Sequence, residues 1–448
     1  MNVVVFLPGI LGSELRTAND ERVWPPTVSE AIGELKDWKI KALLDETPLA
    51  APVVVEQVCL KTVYRGFLQD LEASGFSRTS GDARLVVMPY DWRLNLVEVT
   101  APDIADRLDR LMDEGAKRFH LVSHSMGGLV ARLLVQDPRY AGRAWRRHIV
   151  QSITMASPFR GAPVALARLL GMEKVSGIPG WAFEMLRKKP SLCAPYQLLP
   201  PPGVPMVWTV RGSQIATRDL YGDFGRESGF LAGSLAANRA MHDILVLPWP
   251  TDVSAFQFAG TGFTTATRLA VAGDVRKVED ENSGDQTVPL TSAAGSGLPT
   301  MILPGEHVDI MNNTKLRRTV RALLGVGGDA AIFAAGDDPE TDGAQVLRLS
   351  APTVGIVSRG GHTRFEVLTT LEHPLSANAR LQVTATPLTP GGQADLGRMG
   401  LAREIAMADG AADLVFRLDA DLAPGVYELQ ARLPDGTTGE TRVLVEAE

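Results

Sequence analysis

Apolar runs alternate with segments of helical periodicity along the first 325 residues of the chain. The runs predict strands at 3–7, 84–88, 118–122, 148–155, 206–210 and 300–303. Apolar residues spaced three and four apart predict helices at 64–74, 103–114, 126–136 and 315–324. Strands that are apolar on both faces are typical of a parallel sheet covered by helices. The pattern therefore predicts an α/β domain with a mostly parallel central sheet over residues 1–325.

Three stretches interrupt this alternation, and we expect them to be insertions that cover the sheet. The first, 14–62, carries Trp24 and then an apolar stripe of near-helical spacing that includes Trp38. This lid-like stretch either meets lipid or packs on the body of the domain. Cap-like insertions are expected at 162–203 and 213–283. Aromatic side chains in the insertions are the predicted substrate contacts: Trp24, Trp38, Trp181 and Phe183.

The period of the pattern changes to two in the last hundred residues. After a Gly-, Ala- and Asp-rich linker at 326–344, alternating residues predict strands at 353–357, 364–370, 380–386, 413–418, 426–433 and 441–446. About seven short strands over this length are typical of a β-sandwich. The segment 422–427 resembles the tyrosine-containing corner of immunoglobulin-like domains. Residues 345–448 are therefore predicted to form an immunoglobulin-like sandwich.

Composition excludes several classes of function. The 448 residues carry a formal net charge of −7, which argues against a nucleic-acid-binding surface. We find no apolar run of about 18 residues that would predict a membrane span, and no basic signal sequence before the apolar start. The two cysteines, Cys59 and Cys193, do not make a disulfide framework. We therefore expect a cytoplasmic protein with no cofactor and no metal.

The sharpest chemical motif is the pentapeptide Ser123-His124-Ser125-Met126-Gly127, between a predicted strand and a predicted helix. A nucleophile elbow has this context and usually the pattern G-x-S-x-G. Such a turn exposes the hydroxyl of Ser125 and aims the backbone N–H of Met126 at a developing oxyanion. Serine replaces the first glycine at position 123, so the motif depends on its neighbours for support.

A serine becomes a nucleophile when an imidazole takes its proton and a carboxylate orients that imidazole. The α/β-hydrolase fold supplies these groups in the chain order Ser, acid, His, each on a loop after a strand. Asp285 lies in a tight Gly-Asp-Gln turn, and His307 follows the strand predicted at 300–303. We therefore predict the triad Ser125, Asp285 and His307. Other acids remain open as alternatives: Asp274, Asp280 and Asp309.

The turn Pro8-Gly9-Ile10 follows the first predicted strand. In this fold the second oxyanion donor comes from a loop after an early strand. We therefore expect the backbone N–H of Ile10 to pair with that of Met126. One such donor contributes about 3 kcal/mol at the transition state.

Six motifs stand in an order that resembles a known family: VFLPGILGS at 5–13, PYDWR at 89–93, HLVSHSMGG at 120–128, YQLLP at 196–200, GDQTVP at 284–289 and EHVDI at 306–310. They resemble the lecithin:cholesterol acyltransferase family, which includes lysosomal phospholipase A2-type enzymes and phospholipid:diacylglycerol acyltransferases. The resemblance covers about residues 1–325. It implies an α/β-hydrolase core with cap and lid, acyl transfer from a glycerophospholipid, and the same triad and oxyanion donors.

Two features depart from the family. Secreted relatives close the lid loop with a disulfide, whereas Cys59 is the single cysteine in 14–62. The sandwich at 345–448 also lies outside the family pattern, so its role does not follow from the resemblance.

The leading hypothesis is a serine esterase acting on lipid acyl esters at a membrane surface. It would perform phospholipase A-type hydrolysis or transacylation through an acyl-serine. A neutral ester or thioester substrate and a non-catalytic binding scaffold are the alternatives. The sandwich is a candidate docking module for a protein partner, and the sequence leaves the oligomeric state open.

Overall fold

The computed structural model describes residues 1–58, 61–211, 214–272, 274–326, 347–350, 363–371, 375, 379–388, 400–407, 413–420, 422 and 425–445. The strands up to residue 304 are β1 Asn2–Leu7, β2 Leu15–Arg16, β3 Arg22–Trp24, β4 Gln57–Val58, β5 Lys61–Thr62, β6 Ala83–Val87, β7 Arg118–His124, β8 Ile149–Met155, β9 Val207–Arg211, β10 Gln214–Arg218, β11 Ser254–Thr261, β12 Phe263–Ala272, β13 Asp274–Gly284 and β14 Thr300–Pro304. The later strands are β15 Leu347–Ser350, β16 Thr363–Leu371, β17 Ala379–Leu388, β18 Leu401–Met407, β19 Asp413–Ala420, β20 Gly425–Arg432 and β21 Thr438–Val445.

The α-helices all precede residue 326 in the described part of the chain. They are α1 Val28–Ile32, α2 Asp37–Leu44, α3 Arg65–Ala73, α4 Ala101–Asp113, α5 Met126–Gln136, α6 Pro163–Leu169, α7 Gly180–Leu186, α8 Asp223–Glu227, α9 Ala232–Leu245, α10 Leu290–Ala293 and α11 Thr314–Leu323. None of the helices in the described residues is long and apolar enough to span a bilayer.

Six strands form the central sheet in the order β14-β11-β8-β7-β1-β6. Every neighbouring pair is parallel. Parallel neighbours need long crossover connections, and the helices in those connections cover the two faces. The predicted α/β architecture with a mostly parallel sheet is therefore confirmed.

Strand β1 shows how the sheet is buried on both sides. Val3, Val5 and Leu7 point into a core that also holds residues of α4 and α5, among them Ile104 and Leu129. The alternate residues Val4 and Phe6 point into a second core, with Phe67 of α3 and Leu316 of α11. Because successive side chains of a strand face opposite ways, a strand between two cores must be apolar throughout.

The expected insertion at 213–283 needs correction. Strand β11, Ser254–Thr261, lies inside this range and pairs with β8 and β14 in the central sheet. The range is therefore not one excursion from the core. The run at 206–210, which we expected to be a strand of the main domain, forms β9 of a separate sheet with the order β10-β9-β12-β13.

The described C-terminal strands form two antiparallel sheets, β15-β16-β19 and β18-β17-β20-β21. Their apolar residues share one core that includes Leu347, Val367, Leu381 and Tyr427. The prediction of an all-β C-terminal unit is thus supported by its antiparallel sheets. The strand predicted at 353–357 and nearly all of the linker predicted at 326–344 lie outside the described residues.

Candidate active site

Ser125 sits in the turn between β7 and α5 with a φ of 53°. A positive φ is unfavourable for a residue with a side chain and persists where the surrounding structure enforces it. Here the N–H of Ser125 donates to the carbonyl of Met155 at 2.8 Å, and its carbonyl accepts from the N–H of Gly128 at 2.9 Å. The strained turn and the helix that follows it match the geometry of a nucleophile elbow.

Two glycines after the serine are required by close contacts. A Cβ at Gly127 would lie 2.3 Å from the carbonyl oxygen of Leu7, and one at Gly128 would lie 2.0 Å from the Oγ of Ser157. The helix thus passes directly over the end of β1. Ser123, in the place of the usual first glycine, is buried, and its Oγ donates to the carbonyl of Ile153 at 3.4 Å.

The structure brings Ser125, His307 and Asp285 together. The Oγ of Ser125 lies 2.8 Å from Nε2 of His307, and Nδ1 of His307 lies 2.8 Å from Oδ2 of Asp285. The N–H of His307 also donates to the carbonyl of Asp285 at 2.8 Å. Because the carboxylate accepts only, Nδ1 carries the proton and Nε2 is free to accept the serine O–H. This is the arrangement in which an imidazole acts as a general base.

Asp285 is fully buried, and its charge is compensated by backbone amides. Its Oδ1 accepts from the N–H of Thr287 at 3.0 Å and from that of Val288 at 2.7 Å. The residue lies in a turn directly after a strand, as predicted, and this strand, β13, belongs to the separate sheet β10-β9-β12-β13. Asp285 reaches the site by packing on Gly260 of β11. A Cβ added to Gly260 would lie only 2.7 Å from the Cβ of Asp285.

The loop after β1 lies against the serine. A Cβ on Gly9 would lie 2.8 Å from the Cβ of Ser125. The Ile10 amide belongs to this loop, and the Met126 amide opens α5. In the part of the chain that the structure describes, neither N–H has a backbone or side-chain acceptor. Their role as oxyanion donors stays a prediction.

Four aromatic side chains fix the backbone of this loop, 8–13. The Tyr90 hydroxyl donates to the carbonyl of Pro8 at 2.6 Å, and the Tyr64 oxygen accepts from the N–H of Gly9 at 2.9 Å. The indole of Trp24 donates to the carbonyl of Leu11 at 2.7 Å. The indole of Trp92 donates to the carbonyl of Ser13 at 3.3 Å. Such bonds to buried backbone hold a loop in one conformation.

The predicted substrate contacts fall into two groups. Trp24 is buried edge-to-face against Trp92, with ring centroids 5.9 Å apart, and it supports the 8–13 loop. Phe183 is buried in the core beneath α7. Neither side chain is exposed to solvent, so the predictions that Trp24 and Phe183 contact substrate are corrected. Trp38 of α2 and Trp181 of α7 are 39% and 51% exposed, on helices that contact each other.

Asp91 and Arg93 form a structural ion pair. The guanidinium of Arg93 lies 2.7 Å from the Asp91 carboxylate and is fully buried. It also donates to backbone carbonyls of the segment 42–47. The pair therefore anchors the end of α2 to the domain.

Sequence reasoning assigned no role to His124, which the structure places beside the base His307. The ring lies 5.0 Å from that of His307, centroid to centroid, and its Nε2 is 2.9 Å from the carbonyl of His307. Its Nδ1 is 3.1 Å from the hydroxyl of Tyr64. In the sequence, only its position next to Ser125 pointed to His124. Its partner Tyr64 lies sixty residues away and no motif marks it.

In the described residues, no group of three or more His, Cys, Asp or Glu side chains is arranged to hold a metal ion. The buried thiol of Cys193 has a pKa that burial raises to about 11, which makes it a poor nucleophile at neutral pH. Cys59 lies outside the described residues.

Comparison with known proteins agrees with the six motifs. The family model described as lecithin:cholesterol acyltransferase matches residues 44–227. The chain is 24% identical over 411 residues to lecithin-cholesterol acyltransferase-like 4 of Arabidopsis thaliana, covering 73% of this chain and 76% of the relative. It is 21% identical over 299 residues to phospholipase A(1) LCAT3 of the same plant, covering 53% and 65%. The resemblance to this family is confirmed.

Solved structures give weaker similarity. A crystal structure of a Tle4–Tli4 complex aligns with a TM-score of 0.47 at 15% identity and covers 72% of this chain and 97% of that one. The mature lipase BlEst2 of Bacillus licheniformis aligns with a TM-score of 0.38 at 13% identity and covers 73% and 92%. The assignment of the fold therefore depends on the strand order of the central sheet and not on these similarities.

Proposed function

We propose, from the family resemblance and the geometry around Ser125, that the protein is a serine esterase of the α/β-hydrolase type that acts on lipid acyl esters. The single observation that carries this proposal is the continuous contact from Ser125 through His307 to Asp285, with 2.8 Å at each link. The contact joins residues from three distant parts of the chain at the carboxyl edge of the sheet. Packing alone does not require a hydroxyl, an imidazole and a carboxylate there in this order.

In the proposed reaction the Oγ of Ser125 attacks the ester carbonyl while its proton passes to Nε2 of His307. The negative charge that develops on the carbonyl oxygen is stabilised by the amides of Ile10 and Met126. The ester C–O bond then breaks, and the leaving alcohol takes the proton from His307. Asp285 stays ionised and stabilises the imidazolium, since amides of its own turn hold its second oxygen.

The acyl-enzyme is released when a second hydroxyl attacks it, with His307 again acting as the base. Water gives hydrolysis and an alcohol gives transacylation, and both use the same three side chains. We propose glycerophospholipid as the acyl donor and water as the principal acceptor. The names of the two plant relatives, an acyltransferase-like protein and a phospholipase A(1), support this class of substrate.

The surface near α1, α2 and α7 supports contact with a lipid surface. Five large apolar side chains are exposed on these helices: Val28, Ile32, Trp38, Trp181 and Met185. The helices are neighbours, because the N–H of Leu35 donates to the carbonyl of Gly177, just before α7, at 2.8 Å. Exposed tryptophans beside aliphatic side chains favour the boundary between water and lipid.

The first test uses a fluorophosphonate probe, which forms a covalent bond with an activated serine. We expect the wild-type protein to be labelled at one residue, Ser125, and Ser125→Ala to be unlabelled. Ser152→Ala is a matched control, since Ser152 is a buried serine of β8 whose Oγ has no partner among the described residues. Labelling that persists in Ser125→Ala would refute the mechanism.

The second test defines the substrate. Purified protein is incubated with mixed glycerophospholipid vesicles, with and without a long-chain alcohol, and the products are measured by lipid mass spectrometry. Free fatty acid with lysophospholipid supports hydrolysis, and an ester of the added alcohol supports acyl transfer. If the protein hydrolyses short soluble esters and leaves the vesicle lipids intact, glycerophospholipid is excluded as the acyl donor. The proposal is then reduced to a serine esterase.

A further inference from the structure

A buried chain of hydrogen bonds connects the loop at 8–13 with the backbone of His307. The N–H of Gly9 lies 2.9 Å from the hydroxyl oxygen of Tyr64, and that hydroxyl lies 3.1 Å from Nδ1 of His124. Nε2 of His124 lies 2.9 Å from the carbonyl oxygen of His307. Tyr64 and His124 therefore bridge two segments that are far apart in sequence.

The chemistry of the two ends fixes the direction of every bond. The carbonyl of His307 only accepts, so Nε2 of His124 carries the proton and Nδ1 has a free lone pair. The Tyr64 hydroxyl donates to that lone pair, and its oxygen accepts from the N–H of Gly9. Each donor and acceptor of the two side chains is thus used once, with one tautomer of His124 throughout.

Both side chains stay neutral in their surroundings. Burial and, to a smaller extent, the nearby His307 lower the pKa of His124 to about 3. Burial raises the pKa of Tyr64 well above its ordinary value. The Tyr64 ring is held edge-to-face against Phe6, with centroids 5.1 Å apart, and against His124, with centroids 5.7 Å apart. The bonds therefore persist over the pH range in which a catalytic histidine changes its charge.

Both ends of this hydrogen-bond chain lie close to Ser125. Gly9 precedes Ile10, and its Cα lies so close to the serine that a Cβ would be 2.8 Å from the Cβ of Ser125. The carbonyl at the other end belongs to His307 itself. We propose that Tyr64 and His124 are positioning residues that hold the oxyanion amide of Ile10 and the base His307 at a fixed separation beside the nucleophile.

This inference rests on the proposed function, because it assigns a reaction to Ser125. It differs from a purely structural role in one respect. A structural role would lower the stability of the fold and leave the reactivity of the folded protein unchanged. A positioning role lowers the rate at which the folded protein reacts, since small displacements of catalytic groups weaken transition-state contacts.

The test measures the second-order rate constant of Ser125 labelling by a fluorophosphonate and, on a soluble p-nitrophenyl ester, kcat and KM separately. Tyr64→Phe removes the hydroxyl and keeps the ring between Phe6 and His124. His124→Leu removes the bonds to Tyr64 and to the His307 carbonyl, and the double variant removes all three bonds. Tyr196→Phe is the matched control, because the buried Tyr196 hydroxyl also joins two backbone groups, the carbonyl of Arg187 and the N–H of Leu231.

We expect Tyr64→Phe to lower the labelling rate and kcat by about 10- to 100-fold, with KM little changed, since an oxyanion donor is displaced. Tyr196→Phe should lower the thermal midpoint and keep the wild-type labelling rate. The double variant should react within about threefold of the slower single variant, because the two residues act as one chain.

Two outcomes would overturn the inference: a wild-type labelling rate in Tyr64→Phe, or losses that multiply fully in the double variant. If wild-type protein itself is not labelled at Ser125, the proposed function fails instead. The two failures are therefore distinguishable in one set of measurements. Should His124→Leu fail to fold, Tyr64→Phe alone decides the question, since it keeps the shape of the side chain.

Discussion

At the scale of single residues, this protein buries several histidines in neutral form. Burial lowers the pKa of His124 to about 3 and that of His242 to about 4, and it also lowers the pKa of His120. Each ring is used as a neutral hydrogen-bonding group. His242, for example, donates from Nε2 to the carbonyl of Leu199 at 3.1 Å.

A buried neutral histidine makes stability depend on pH with a definite sign. The unfolded chain takes up a proton near pH 6.5, whereas folded His242 does so only near pH 4. The free energy of unfolding therefore decreases as the pH falls from 6.5 towards 4.

His242→Gln removes this proton uptake and keeps a donor for the carbonyl of Leu199. We expect the loss of stability between pH 8 and pH 5 to be about 1–2 kcal/mol smaller in the variant than in the wild-type protein. Denaturant unfolding of both proteins at the two pH values measures the difference. An equal loss in the two proteins would show that His242 is protonated in the folded state.

The contact between the side chains of Ser125, Asp285 and His307 was predictable from the sequence, and their catalytic roles stay a proposal. These residues were identified because chain order and loop position left few competitors. Trp24 was misassigned because an indole that supports a loop and an indole that meets lipid look alike in sequence. The difference lies in the carbonyl of Leu11, which Trp24 contacts only in the folded chain.

At the scale of elements, the site depends on backbones that approach closely. Gly127 brings α5 against the end of β1, and Gly260 brings the Asp285 turn against the end of β11. A methyl group at Gly260 would lie 2.7 Å from the Cβ of Asp285 and 2.9 Å from the carbonyl of Gly305. Both contacts are shorter than packing allows, so one of the two turns has to move.

Gly260→Ala should therefore displace Asp285 relative to His307. We expect a fluorophosphonate labelling rate about 10- to 100-fold below wild type, because small displacements of catalytic groups are costly. Gly233→Ala is the control, since a Cβ there meets open space. It lies in α9 and should raise stability by about 0.5–1 kcal/mol with an unchanged labelling rate. An unchanged rate in Gly260→Ala would mean that the turn tolerates the methyl group.

Element prediction succeeded for the apolar strands of the central sheet and missed the four strands between 214 and 284, among them β11, whose burial is partly polar. Strand β11 contains Gln257, which is buried and accepts hydrogen bonds from Ser296 and Thr300. These partners lie some forty residues away, so the local pattern does not reveal that the carboxamide oxygen of Gln257 is hydrogen-bonded. The strand therefore resembled part of an insertion.

At the scale of the whole molecule, β13 connects the candidate site with the C-terminal sheets. It leads directly into Asp285, and it contacts β15 and β21. Nearby, Trp208 of β9 packs with Leu388 of β17, and Ala270 and Val278 complete this small apolar cluster. The C-terminal unit thus rests on the sheet that carries the acid.

Leu388→Ala should loosen this contact. We expect a loss of about 2 kcal/mol or more in stability, as for other buried leucines. Hydrogen exchange should become faster in the β12–β13 hairpin and in β9, while the central strands β1 and β7 keep their protection. Val246→Ala is the control. It also shortens an aliphatic side chain to alanine, but at a position that is 77% exposed. If the hairpin and β9 exchange at the same rate in wild type and in Leu388→Ala, the predicted docking is contradicted.

The order of the groups along the chain has a consequence for synthesis on the ribosome. Ser125, the proposed nucleophile, is made early, whereas Asp285 and His307 emerge more than 150 residues later. The edge strand β14 also comes after the acid. A nascent chain that has already folded its first strands therefore holds a serine with no base to activate it. In the proposed mechanism, reactivity toward acyl esters arises only when the polypeptide is long enough to close the sheet.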